Sequence, residues 1–117
     1  EDAMAALEVT LAYVPDYREA YVELEQVALS VGDQPRATFA KAMLLVLDGN
    51  PADALALLKP LAEESESART WWGLGYASEL TGDNAGAVEA YKKAVEINPG
   101  ELLAAESLRR LDEGGTP

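Results

Sequence analysis

The chain has 117 residues, carries a net charge of −12, and contains neither histidine nor cysteine. Its length fits one domain. The composition removes the usual general base, the thiolate nucleophile and the common zinc ligands, and the negative charge argues against nucleic acid or anionic membranes as partners.

Turn residues divide the chain into helices at nearly equal intervals. They are clusters of Gly, Asp, Asn and Pro, which suit the end of one helix and the start of the next. The clusters lie at residues 14–16, 32–35, 48–51, 82–83 and 98–99. The amphipathic segment 102–112 predicts a last helix, and 113–117 is expected to be a disordered tail. We predict seven helices and no strands.

Small and large apolar residues recur at an interval of 33 to 34 residues, the period of a helix-turn-helix repeat. The matching sets are Ala20, Leu24 and Val27, then Ala54, Leu58 and Leu61, and then Ala87, Tyr91 and Ala94. We place three repeats at 1–34, 35–67 and 68–101 in one domain, 1–112, with 102–112 as the capping helix.

The frame of the first repeat has an alternative. Residues 15–21 look equally like the junction that enters a new repeat, which would make 2–14 a second helix. The frame 1–34 is preferred because it pairs every helix.

The third repeat is the most regular, with Gly75 and Ala87 as small residues where two helices can approach closely. Its marked positions are Trp71, Leu74, Gly75, Gly82, Ala87, Tyr91, Ala94 and Pro99. In this order and spacing they resemble the tetratricopeptide repeat (TPR), although Ser78 stands where that family usually has a tyrosine. The resemblance implies an all-α solenoid of three TPR repeats with a C-terminal capping helix.

In a TPR stack the first helices of successive repeats line a concave face. A helix turns by about 100° per residue, so Trp71 and Trp72 cannot point the same way. We expect Trp71 in the interior and Trp72, with Tyr76, on the concave face. The candidate binding residues on that face are Val9, Arg36, Phe39, Met43, Arg69, Trp72, Tyr76 and Glu79.

The resemblance implies a protein–protein interaction scaffold that holds a peptide or helix in its concave groove, and not an enzyme. An acidic scaffold favours a partner that is apolar and not acidic. The alternative is a structural unit that self-associates or packs against other domains of a longer protein, so the oligomeric state is left open between a monomer and a weak homo-oligomer. No cofactor or metal is expected, and no apolar run is long enough to cross a membrane.

The acidic residues are concentrated near the start of the chain. Residues 1–34 hold eight carboxylates and one basic residue, Arg18, and Asp16, Glu19, Glu23 and Glu25 cluster around the second helix. This pattern is typical of a solvated face that keeps the chain soluble. A sharper interpretation is a docking site for a basic partner.

Overall fold

The computed structural model describes residues 2–114, which form α-helices joined by turns, with no strand in that range. The helices are α1 (Asp2–Tyr13), α2 (Arg18–Ser30), α3 (Gln34–Leu47), α4 (Pro51–Glu64), α5 (Ala68–Leu80), α6 (Asn84–Ile97) and α7 (Leu102–Gly114). The all-α prediction is therefore confirmed. None of the helices in this part of the chain is both long and apolar enough to cross a membrane.

The start of the predicted tail is wrong by two residues. Helix α7 continues to Gly114, since Asp112 and Glu113 do not interrupt a helix and glutamate favours one. The rest of the predicted tail, residues 115–117, lies outside the described part of the chain.

Three of the interhelical turns share one conformation centred on glycine. Gly32, Gly49 and Gly82 have φ angles of 77°, 89° and 92°, in the left-handed region that glycine adopts without steric cost. In the last of these turns the Asp83 amide donates to the Ser78 carbonyl at 2.9 Å, and the Asp83 carboxylate accepts from the Gly86 amide at 2.9 Å. The prediction that residues 82–83 end α5 and cap α6 is confirmed.

The helices form two layers. Helices α3, α5 and α7 touch one another in sequence on one side, and α2, α4 and α6 alternate with them on the other. Helix α1 joins the first layer through Glu8, whose carboxylate accepts from Arg36 of α3 and whose carbonyl accepts from Arg69 of α5. The odd-numbered helices therefore line the inner side of the stack, which we call the concave side.

The close approach predicted between α5 and α6 is confirmed. A Cβ placed on Gly75 would lie 2.6 Å from the Tyr91 ring and 3.1 Å from the Ala87 carbonyl oxygen. Ala87 and Tyr91 are themselves fully buried. Gly75 thus leaves the space that the tyrosine ring fills.

Candidate functional site

A cleft of about 560 Å³ opens on the concave side, where the inner-layer helices meet. Its lining includes Glu8 from α1, Arg36 and Phe39 from α3, Arg69 from α5, and Glu101, which directly precedes α7. We call it the concave cleft. Three of the eight residues predicted from the sequence, Arg36, Phe39 and Arg69, are brought together here.

Carboxylates hold both arginines of the concave cleft in place. Arg36 donates through Nε to Glu8 Oε2 and through Nη1 to Asp33 Oδ2, each at 2.7 Å. The hydrogen bond to Glu8 is the main reason that the pKa of Arg36 is raised, which keeps the guanidinium charged.

Arg69 is held across the cleft by the residue that precedes α7. Its Nε lies 3.2 Å from both carboxylate oxygens of Glu101, and its Nη1 lies 3.4 Å from the Glu8 carbonyl oxygen. Glu101 is buried and Arg69 is partly buried. No group among the described residues accepts a hydrogen bond from Nη2 of Arg36 or of Arg69.

The predicted exposure is wrong for three of the eight site residues, Phe39 among them. Trp72 is 3% exposed, Phe39 6% and Met43 0%. Trp72 stacks on Tyr76 with ring centroids 5.4 Å apart. Phe39 and Met43 pack against Gly73 of α5, where an added Cβ would lie 3.0 Å from the Phe39 ring and 3.3 Å from the Met43 sulfur.

Helix α7 is attached to the face of α5 that carries Trp72. Arg69 and Glu79 flank Trp72 on this face, since they lie one turn before it and two turns after it. Arg69 bonds to Glu101 where α7 begins, and Glu79 bonds to Arg110 near the other end of α7 at 2.6 and 2.8 Å. The burial of Trp72 is consistent with a helix tied along this face at both ends.

Trp71 lies on the opposite, convex side and is the more exposed of the two tryptophans. It lines a cleft of about 760 Å³ with Leu55 and Lys59 of α4 and Lys92 of α6. The sequence analysis correctly predicted that the two tryptophans point apart, but it exchanged their environments.

The remaining predicted residues do not join the concave cleft. Val9 is 59% exposed on α1, Tyr76 stacks on Trp72, and Glu79 accepts hydrogen bonds from Arg110 and from the Tyr91 hydroxyl at 2.7 Å. Among the described residues, no group of three or more carboxylates is placed to hold a metal ion.

The sequence analysis missed the carboxylates that hold the two arginines of the concave cleft, among them Glu8 and Glu101. A signal for the second was present, because Glu101 follows Arg69 by 32 residues, close to one repeat. Residues one repeat apart in a solenoid lie on neighbouring units and can pair.

A sequence profile of the tetratricopeptide repeat family matches residues 39–101, more than half of the chain. The match covers most of α3 and all of α4, α5 and α6. No curated protein and no solved structure was found that matches the chain significantly. Tetratricopeptide repeats generally mediate protein–protein interaction and are typically non-enzymatic scaffolds.

Proposed function

Since this chain belongs to the tetratricopeptide repeat family, we propose that it is a non-enzymatic interaction module that holds a peptide or helix of a partner protein in its concave cleft. The observation that carries the proposal is the pair of arginines, Arg36 and Arg69. Each is oriented by a carboxylate and keeps an Nη2 with no acceptor in the described chain. Arginine is among the residues that dominate protein–protein binding energies.

The lining of the concave cleft indicates what kind of peptide fits. Four carboxylates and two guanidinium groups border it, so an acidic peptide would be repelled. Ile97 adds apolar surface, and the buried Phe39 lies behind it in the lining. The Nη2 groups can donate to peptide carbonyl oxygens, so the expected ligand has apolar side chains and no net negative charge.

Selection from a displayed peptide library tests this proposal. Peptides enriched on the wild-type protein should be apolar and neutral or basic, and Arg36→Ala should weaken their binding by about tenfold or more. Arg18→Ala is the matched control, because it removes an arginine of similar exposure, paired with Asp48 at 2.9 Å, outside the cleft. Enriched peptides that bind both variants equally well would refute the concave site.

A second candidate function is structural assembly, in which the module packs on another copy or on other domains of a longer protein. The exposed apolar residues Val9 and Tyr13 on α1 favour it, since such surface usually marks an interface. Molecular mass measured at two protein concentrations distinguishes the two functions: a monomer favours the peptide module, and a concentration-dependent dimer favours assembly.

A further inference from the structure

Helix α1 is apolar on both of its faces. Its inner face contributes Met4 and Leu11 to the core. Where the structure describes exposure in α1, the exposed side chains are all apolar: Ala3, Ala5, Ala6, Val9 and Tyr13. Tyr13 is 79% exposed. Contiguous exposed apolar surface usually marks an interaction site, so this outer face is suited to being covered.

The other end of the stack shows what a terminal helix looks like when it is built for water. The terminal elements of a solenoid carry a polar outer face, and α7 does so with the exposed residues Glu106, Arg109 and Asp112. The described side chains of α1 include no such exposed polar set. Its apolar surface instead extends to Leu102, which is 67% exposed and faces Ala12 across a cleft of about 440 Å³.

We call the surface formed by Ala5, Ala6, Val9, Tyr13 and Leu102 the α1 face. Its shape suits a helix: Ala5, Val9 and Tyr13 follow one another at intervals of four residues and form a ridge of the kind that packs into the groove of a second helix. The alanines let the two backbones approach closely.

Exposed acidic residues without an ion pair follow α1 in the chain. Asp16, Glu19 and Glu23 are exposed, and none of them forms an ion pair within the described chain. Of the bases nearby, Arg18 donates from Nε and Nη2 to the Asp48 carboxylate at 2.9 and 3.0 Å, and Arg109, which lines the cleft with Ala12 and Leu102, pairs with Glu106. Both bases are therefore already neutralised.

Helix geometry places the acidic residues of α2 on the flank away from the α3–α4 turn. Arg18 marks the flank that faces this turn, where Asp48 lies. Glu19 and Glu23 are rotated from Arg18 by about 100° and 140° around the helix axis. They therefore point away from the α3–α4 turn, on a helix that packs against α1.

We propose that the α1 face binds an amphipathic helix of a partner protein, with apolar side chains along one face and Lys or Arg beside them. The apolar ridge would supply the contact area, and Asp16, Glu19 and Glu23 would meet the basic side chains. A second copy of this chain fits poorly, because a symmetric pairing through α1 would bring two sets of these carboxylates together. This surface is separate from the concave cleft, and either site can exist without the other.

Two synthetic helices of about 18 residues provide the probes, one with Leu on one face and Lys on the other, and one with Glu in place of every Lys. Fluorescence anisotropy should show the Leu/Lys helix binding at least about tenfold more tightly than the Leu/Glu helix. The double variant Val9→Ser/Tyr13→Ser should weaken binding by about tenfold or more. Glu19→Gln/Glu23→Gln should weaken it too and reduce its dependence on salt.

Matched control variants test whether binding of the Leu/Lys helix occurs at the α1 face. Leu29→Ser/Leu80→Ser removes exposed apolar residues elsewhere, and Glu63→Gln/Glu96→Gln removes exposed carboxylates elsewhere; both should bind as the wild type does. Circular dichroism of each variant verifies that it is folded.

Several results would overturn the proposal. One is that the Leu/Lys helix does not bind, and another is that both helices bind equally well. A third is that the serine substitutions leave binding unchanged, which would mean that the helix is attracted by charge alone. A dimer that forms with rising concentration and disappears in Val9→Ser/Tyr13→Ser would assign the α1 face to a second copy instead.

Discussion

Two adjacent tryptophans of α5 have opposite roles in the folded chain. Trp72 is enclosed, with Tyr76 stacked on it and α7 tied along its face of the helix. Trp71 lines the convex cleft and is only partly buried. The cost of removing a side chain depends on the cavity that it leaves and on how well the site can collapse, so the two substitutions should differ strongly.

Trp72→Ala should lower the free energy of unfolding by about 3–5 kcal/mol, whereas Trp71→Ala should cost less than about 2 kcal/mol. Urea denaturation measures both. As a control on accessibility, acrylamide should quench the fluorescence of Trp72→Phe, which keeps Trp71, more than that of Trp71→Phe. Equal costs and equal quenching would contradict the assigned environments.

Gly75 is the residue at which α5 and α6 come closest. Alanine there would place its Cβ 2.6 Å from the Tyr91 ring, closer than packed atoms can lie. Gly75→Ala should therefore destabilise the protein by about 1–3 kcal/mol, although alanine favours helix formation. The exposed change Lys92→Ala should stay within about 0.5 kcal/mol. A Gly75→Ala variant at least as stable as the wild type in thermal melts would show that the helices can separate at no cost.

At the scale of elements, Glu79 connects three helices. Its carboxylate accepts two hydrogen bonds from Arg110 of α7 and one from the Tyr91 hydroxyl of α6. The bond from Arg110 is the main cause that lowers the pKa of Glu79, although burial acts against it. The sequence analysis placed Glu79 in a binding groove, but the structure uses it to attach the last helix.

This attachment should weaken in acid. A carboxyl group whose folded pKa is lowered stabilises the protein above its unfolded value, 4.5, and that contribution is lost as the pH falls through the folded value. Glu79→Gln should therefore be less stable than the wild type by about 1–2 kcal/mol at pH 7, and the difference should vanish well below pH 4.5.

The control for this pH effect is Glu96→Gln, which removes an exposed carboxylate 3.9 Å from Lys93. It should show almost no difference from the wild type at any pH, since exposed pairs contribute little. A Glu79→Gln difference that persists unchanged in acid would show that the charge of Glu79 is not what holds α7.

At the scale of the whole molecule, the repeat of small and large apolar residues every 33 to 34 positions predicted the order of the helices, their turns and the contact between Gly75 and Ala87. Each of these depends on residues within one repeat. Exposure on the concave side could not be predicted in the same way. It depends on where α7 comes to lie, and that position is fixed by Arg69–Glu101 and Glu79–Arg110, pairs that are about 30 residues apart.

The division into repeats at 1–34, 35–67 and 68–101 remains a proposal. The family profile matches residues 39–101, within the second and third units. In the first unit, the turn at Gly32 has the same conformation as those at Gly49 and Gly82, so turn geometry alone would also pair α2 with α3. The frame 1–34 is retained because it pairs α1 with α2 and, within the described chain, leaves outside a pair only α7, the capping helix.

The central claim is that the partner peptide occupies the concave cleft beside Arg36 and Arg69. Nuclear magnetic resonance of the arginine Nε–H groups tests it most directly, because each guanidinium reports on its own surroundings. On titration with a peptide selected on the wild-type protein, the signals of Arg36 and Arg69 should shift while that of Arg18, held by Asp48 outside the cleft, stays in place. Saturable binding with no change at Arg36 or Arg69 would contradict the account.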